Sequence, residues 1–266
     1  MIHEYFLETN TLNLMQTLEG GQAFRWRHTD DGVFYGVAGG RSLRLRQEEN
    51  GVTLLNVPEE ELDFWLNYLD MGTNYEEIIS RFSADKTLSL ASEAGRGLRI
   101  LRQEPFETLI SFIISQNNNI PRIRGIIERL CESFGEKTGD SYSFPTASHL
   151  SALTEEELAP LRAGFRNRYI LDAARKTMDK TVDLDLIYDM DYETGKAELK
   201  KIVGVGDKVA DCVLLFAYHK TEAFPMDVWV KRIVKEYYPD GLPECMGDEK
   251  GIAQQYLFEY FRQKGI

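Results

Sequence analysis

The chain has 266 residues, 43% of them hydrophobic and 28% charged, with a formal net charge of −12 at pH 7. That is material for one large domain or two to three small ones with an ample core, and no apolar run approaches the ~20 residues a membrane helix needs. The opening MIHEYFLETNTL has neither a basic nor an apolar stretch, so a cytoplasmic protein is expected (nucleoid-associated in a prokaryote).

Three scattered cysteines (131, 212 and 245) and four scattered histidines give no disulfide framework, no CxxC pair and no zinc site, so no metal is expected. The acidity argues against a nucleic-acid partner, but it is unevenly distributed. Residues 1–95 carry 7 basic and 16 acidic side chains, net −9, whereas residues 96–266 carry 24 and 27, net −3. In the second segment Arg122, Arg124, Arg162, Arg166, Arg168, Lys200, Lys201, Lys231 and Arg232 are numerous enough for a local basic face.

From Gly21 to Val57, short β-like runs alternate with turns. Phe24–Trp26, Val33–Val37, Ser42–Arg46 and Val52–Val57 are separated by Asp-Asp-Gly, Gly-Gly and Glu-Asn-Gly. Side chains of Ser42–Arg46 alternate as in a sheet with one wet face, which predicts an antiparallel meander. Pro58 followed by three glutamates predicts a helix start, and nearly everything beyond reads as helix. Phe106–Ile114 suits a buried helix, Asn117-Asn118-Asn119 breaks it, and Pro121 restarts a helix through Arg129. Thr154 and Glu157 have the spacing of a capping box.

The most informative run is Glu198–Asp227. It predicts a helix ending near Ile202, a tight Val203-Gly204-Val205-Gly206 hairpin, and a second helix from Lys208 with Asp207 as its N-cap. The hairpin and helix N-terminus offer N–H groups to an anion such as a phosphate. In the first turn the helix dipole works against a charged ammonium at Lys208 by ~0.3–1 kcal/mol, which suits a nucleophilic amine. On position alone Lys208 is a solvated surface lysine and Asp227, 19 residues later, an N-cap.

Taken together, the glycine hairpin, Lys208-Val209-Ala210-Asp211-Cys212 and Phe224-Pro225-Met226-Asp227 resemble the helix-hairpin-helix DNA glycosylases, and most closely the 8-oxoguanine DNA glycosylase/lyases. The resemblance extends from about Gly20 to Phe261. It implies an α+β fold: a small antiparallel sheet with the first helix (residues 1–80), packed on a two-lobed helical region (81–266). The helix-hairpin-helix lies at 194–219 and the cleft between the lobes.

The resemblance also implies a monomer acting on double-stranded DNA that contains 8-oxoguanine opposite cytosine. Lys208 would be the nucleophile and Asp227 the carboxylate that stabilises charge on the sugar. Gly21, in Gly21-Gln22-Ala23-Phe24-Arg25-Trp26, is similar to the glycine whose carbonyl accepts the N7 hydrogen of the oxidised base, where normal guanine presents an acceptor. Phe258 and Cys212 would flank the base, with Gln254 on its pairing edge. Asn117, Arg122 and Arg166 would contact the orphaned cytosine, with Phe165 as the wedge, and Gly204 and Gly206 would shape the phosphate-binding hairpin. No organic cofactor is implied, though the family's hairpin has room for a cation on backbone carbonyls.

Read without the resemblance, Gly21 is a strand-entry turn, Cys212 and Phe258 are core, Gln254 is a surface amide, Asn117 ends a helix and the arginines are solvated. Phe165 and Trp229 depart from the closest eukaryotic pattern, which has tyrosine and histidine there; Trp229 puts that site's phosphate and aspartate contacts in question. Two alternatives stand beside the main reading: a glycosylase for another oxidised or alkylated base, and a non-catalytic helix-hairpin-helix DNA-binding module. The lysine–aspartate pair counts against the second, because phosphate binding needs neither.

Overall fold

Side-chain alternation builds the N-terminal part. In the computed structural model, which describes residues 2–265, five strands form an antiparallel sheet in the order β1-β5-β4-β3-β2. They are β1 (Ile2–Glu8), β2 (Trp26–His28), β3 (Val33–Ala38), β4 (Arg41–Glu48) and β5 (Gly51–Pro58), with a short helix α1 (Leu14–Glu19) between β1 and β2. In β4, Leu43 and Leu45 are buried while Arg44 and Arg46 face solvent. Gly36 has a steric reason: a Cβ there would lie 2.4 Å from the buried Trp26 indole. The expected meander is present, but Phe24 and Arg25 precede β2 rather than belonging to it. Sequence reading also missed β1, which pairs with β5 through contacts such as Leu7 with Val52; so distant a pairing has no local signature.

Helices follow as expected: α2 (Leu62–Tyr68), α3 (Tyr75–Phe82), α4 (Lys86–Ala94), α5 (Pro105–Ser115) and α6 (Ile120–Phe134). After a small hairpin of β6 (Lys137–Thr138) and β7 (Ser141–Tyr142) come α7 (Ala147–Ser151), α8 (Arg166–Met178), α9 (Tyr192–Leu199), α10 (Asp207–Phe216), α11 (Val228–Tyr237) and α12 (Lys250–Gln263). The glutamates after Pro58 form a single 3-10 turn ahead of α2. Thr154 and Glu157 do make the reciprocal capping bonds, at 3.3 and 2.8 Å. Beyond them the chain enters a turn and the 3-10 segment Ala159–Leu161, not an α-helix.

One helix organises the interior. Every residue of α5 from Thr108 to Ile114 is buried, and α5 touches α6, α8 and α10. A second group, α3, α4, α11 and α12, packs beside it. Residue 80, where the sequence divides the chain, falls within α3, whose Tyr75, Ile78, Ile79 and Phe82 join the helical core. Leu101 in turn packs with the sheet.

Asp70, 1% exposed, ties these parts together. Its carboxylate accepts from Arg102 Nε at 2.8 Å, Thr73 Oγ1 at 2.9 Å and Tyr75 OH at 2.8 Å. His219 Nε2 lies 3.6 Å away, just beyond α10. Replacing Asp70 by alanine leaves these donors without their acceptor and is expected to cost roughly 3–5 kcal/mol in urea melts, as breaking a buried pair does. Burial pulls the His219 pKa below its ordinary 6.5, with Asp70 opposing and Arg102 assisting. The unfolded chain therefore takes up this proton at a higher pH than the folded chain. Stability is complete above pH 6.5 and falls as pH drops toward the folded value; His219→Gln should flatten that slope, measured by urea melts on either side of 6.5.

Candidate active site

The glycine hairpin sets the stage. Gly204 has φ +86°, and a Cβ there would lie 2.5 Å from the Tyr169 ring, so both backbone and packing demand glycine. Gly206 has φ −98° and nothing within 4 Å of its would-be Cβ, leaving its surface open to an approaching group. The cap of α10 differs from expectation. Gly206 is the N-cap and Asp207 the first helical residue, its carboxylate drawn to Lys200 Nζ at 2.7 Å. A short salt bridge across the hairpin outcompetes local capping.

Lys208, in the first turn of α10, points inward. Its Nζ lies 5.0 Å from the centroid of the Phe112 ring and 3.5 Å from Ser115 Oγ, both on α5. Phe112 stacks on Phe216 of α10 with centroids 5.3 Å apart and planes 13° apart. Asp227 caps α11, its Oδ1 accepting from Val230 N at 2.7 Å, as the sequence predicts.

Lys208 and Asp227 face one cavity of about 490 Å³, together with Gly21, Cys212, Gln254 and Phe258. Its volume is in the range of small-molecule sites. The elements converge from four places: the loop before β2, α10, the start of α11, and α12. Gly21 has φ +89°, and its neighbour Gln22 is pinned by donating to Thr17 O at 2.9 Å and Arg99 O at 2.7 Å while accepting from Leu101 N at 2.9 Å. Gln254 is buried rather than the surface amide that sequence alone suggests, and its Oε1 accepts from Gln255 Nε2 at 2.7 Å. Burial pushes the Cys212 thiol up to about 11, with Lys208 acting in the opposite direction.

The opposite-strand group lies where α5 ends. Asn117 is exposed with φ +47°, and Arg122 is exposed in the first turn of α6. Phe165, half-exposed, stands on the turn entering α8 with its ring edge on Tyr169. Arg166 is not a solvated surface residue. It is 3% exposed and donates to the carbonyls of Gln116, Ala163 and Asn117, so it braces the Asn117 turn. Of the basic residues noted in the sequence, Lys200 and Lys201 are paired with Asp207 and Glu198; Arg122, Arg162, Arg168, Lys231 and Arg232 are exposed.

Sequence reading did not single out Ser115 and Phe112, which touch the lysine. A polar residue closing an apolar helix was the available signal. Among the described residues, no group of three or more His, Cys, Asp or Glu side chains is arranged to hold a metal ion, and no helix is long and apolar enough to cross a membrane.

The hairpin-borne lysine beside a nucleotide-sized cavity defines the class, that of base excision DNA repair enzymes with a helix-hairpin-helix. Residues 110–241 match the HhH-GPD superfamily base excision DNA repair protein, and residues 4–109 match the N-terminal domain of 8-oxoguanine DNA glycosylase. An N-glycosylase/DNA lyase of Saccharomyces cerevisiae is 34% identical over 266 residues, covering 87% of this chain and 70% of that one. The fold is similar to that of MBOgg1 bound to a low-affinity DNA ligand (TM-score 0.94, 38% identity, 100% of this chain and 99% of that chain). It is also similar to the Clostridium acetobutylicum 8-oxoguanine glycosylase/lyase bound to duplex DNA with cytosine opposite 8-oxoguanine (TM-score 0.92, 36% identity, again 100% and 99%). The chain belongs to the 8-oxoguanine N-glycosylase/DNA lyase family.

The two hairpin glycines should respond differently to substitution. Gly204→Ala forces a left-handed residue against Tyr169 and is expected to lower stability by about 1–3 kcal/mol and to weaken duplex binding. Gly206→Ala is expected to fold with a near-normal melting temperature; calorimetry and fluorescence anisotropy on the same samples check both.

Proposed function

We propose that this protein removes 8-oxoguanine from duplex DNA opposite cytosine and then nicks the strand, with Lys208 as nucleophile and no organic cofactor. The observation that carries this reading is the convergence of Lys208, Asp227, Gly21, Cys212, Gln254 and Phe258 on one cavity. The damaged nucleotide leaves the stack at a cost of a few kcal/mol, and Phe165 fills the gap while Asn117 and Arg122 meet the orphaned cytosine, with Arg166 bracing the Asn117 turn behind them. In the cavity, Phe258 and Cys212 flank the base, Gln254 reads its pairing edge, and the Gly21 carbonyl accepts the N7 hydrogen that only the oxidised base has. The hairpin of Gly204 and Gly206 holds the backbone phosphate.

Lys208 Nζ, as a neutral amine, attacks the sugar C1′. The glycosidic bond breaks, and its electron pair leaves with the base, which takes up a proton. Ring opening gives an imine between Nζ and C1′. Loss of a C2′ proton then expels the 3′ phosphate and nicks the strand. The Asp227 carboxylate stabilises positive charge developing on the sugar and assists proton transfer. The protein is proposed to work as a monomer in the compartment that holds the DNA, the cytoplasm or its nucleoid.

Borohydride should trap wild-type protein on a duplex containing 8-oxoguanine. Lys208→Gln should give no adduct, and Asp227→Asn should slow excision by about 10²–10⁴-fold, the range of general acid–base effects. An adduct surviving Lys208→Gln would defeat the mechanism. Across the four opposite bases, cytosine should be favoured, and Arg122→Ala should narrow that preference, read from single-turnover rates.

A further inference from the structure

Trp229 has no task in the chemistry above. Of the three tryptophans, Trp26 and Trp65 are 1% and 0% exposed in the core of the sheet, whereas Trp229 is 49% exposed. It stands in the first turn of α11, two residues after Asp227, and Val228 between them is 66% exposed. The Arg232 guanidinium lies 5.3 Å from the centroid of its ring and braces it from one side. Val228 and Trp229 thus form an exposed apolar pair at the start of α11.

The position of Trp229 bears on what it contacts. Beside the base cavity of about 490 Å³ runs a larger groove of about 1270 Å³, lined by Gly206, Lys196 and Lys231 among others. Five residues face both spaces: Ser115, Asn118, Lys208, Asp227 and Trp229. A nucleotide with its base in the first and its phosphates in the second has its sugar on that shared strip. The polar members of the strip suit the reacting carbon. Trp229 is its one aromatic member, suited to the apolar C–H face of a deoxyribose.

We propose that Trp229 packs against the deoxyribose of the everted nucleotide, with Arg232 held over the same ring to brace it. This rests on the reading of Lys208 and Asp227 as the reacting pair. The contact excludes water from the strip and fixes C1′ relative to the amine.

Because the other two tryptophans are buried, acrylamide quenching of the protein's emission reports chiefly on Trp229. The test uses a duplex with a tetrahydrofuran abasic analogue, which presents a sugar without a base or a glycosidic bond to break. In a complex shown by anisotropy to be saturated, quenching should fall to the level of Trp229→Phe in its own complex, and undamaged duplex should leave it unchanged. Trp229→Ala should slow single-turnover excision of 8-oxoguanine by about tenfold or more, in the range that misplacing a reacting group costs, and Trp229→Phe should restore most of the rate. Three results overturn the proposal: unchanged quenching in the saturated analogue complex, equal shielding by undamaged duplex, or an unaltered rate in Trp229→Ala. Shielding only when 8-oxoguanine itself is bound to Lys208→Gln would move the contact to the base and overturn it as well. Borohydride trapping of wild-type protein separates the two readings. Its failure would indict Lys208, whereas an adduct with Trp229 left accessible would indict this contact alone.

Discussion

Two stacked rings hold the chemistry in place. Phe112 and Phe216 join α5 to α10 inside the core, 5.3 Å apart, and protein interiors packed this closely deform little. The Lys208 stem ends over Phe112, and its amine meets Ser115 one turn further along α5. Helix packing, not a loop, therefore sets where the amine sits. The same end of α5 runs directly into Gln116 and Asn117, whose carbonyls are held by Arg166. The proposed nucleophile for one strand and the proposed contacts for the other thus hang from a single helix terminus.

The loop before β2 contributes no reacting group to the proposed mechanism, yet its bracing bears on the proposed recognition. Gln22 and Arg99 lash the loop before β2 to the extended segment leading into α5. Gln103 Nε2 donates to Gln22 O at 2.8 Å, and Arg99 Nε donates to Thr11 O at 2.8 Å. Telling 8-oxoguanine from guanine by the Gly21 carbonyl, as proposed, would require that carbonyl to stay put, because one hydrogen bond is all that would distinguish the two bases there. A buried carboxamide with its donors and acceptor engaged supplies that rigidity.

Sequence was most legible where local rules suffice. The alternation of β4, the apolar run of α5, the hairpin glycines and the Asp227 cap all depend on neighbours within a few residues. Reading failed where distant partners decide. β1 pairs across more than forty residues of chain, Asp207 gives up capping for Lys200, and Arg166 is drawn into the interior by the carbonyls at the end of α5. Ser115 and Phe112 looked like ordinary members of a buried helix because nothing in their own segment announces a lysine more than ninety residues later. The acidity that argued against DNA turned out compatible with the fold, since several arginines stay exposed and Lys196, Lys208 and Lys231 line the groove, while Lys200 and Lys201 are paired with Asp207 and Glu198.

Burial of Cys212 has a consequence for the conditions in which such an enzyme works. Sulfur reacts with peroxides as the thiolate, and with its pKa pushed up to about 11 this side chain stays in the thiol form at neutral pH, enclosed at 3% exposure. Oxidants that damage guanine thus find a poor target in the sulfur lining the cavity. Sulfenic acid formation there would enlarge and polarise one wall of the site; the deep placement of the residue guards against inactivation by the same stress that creates the lesion.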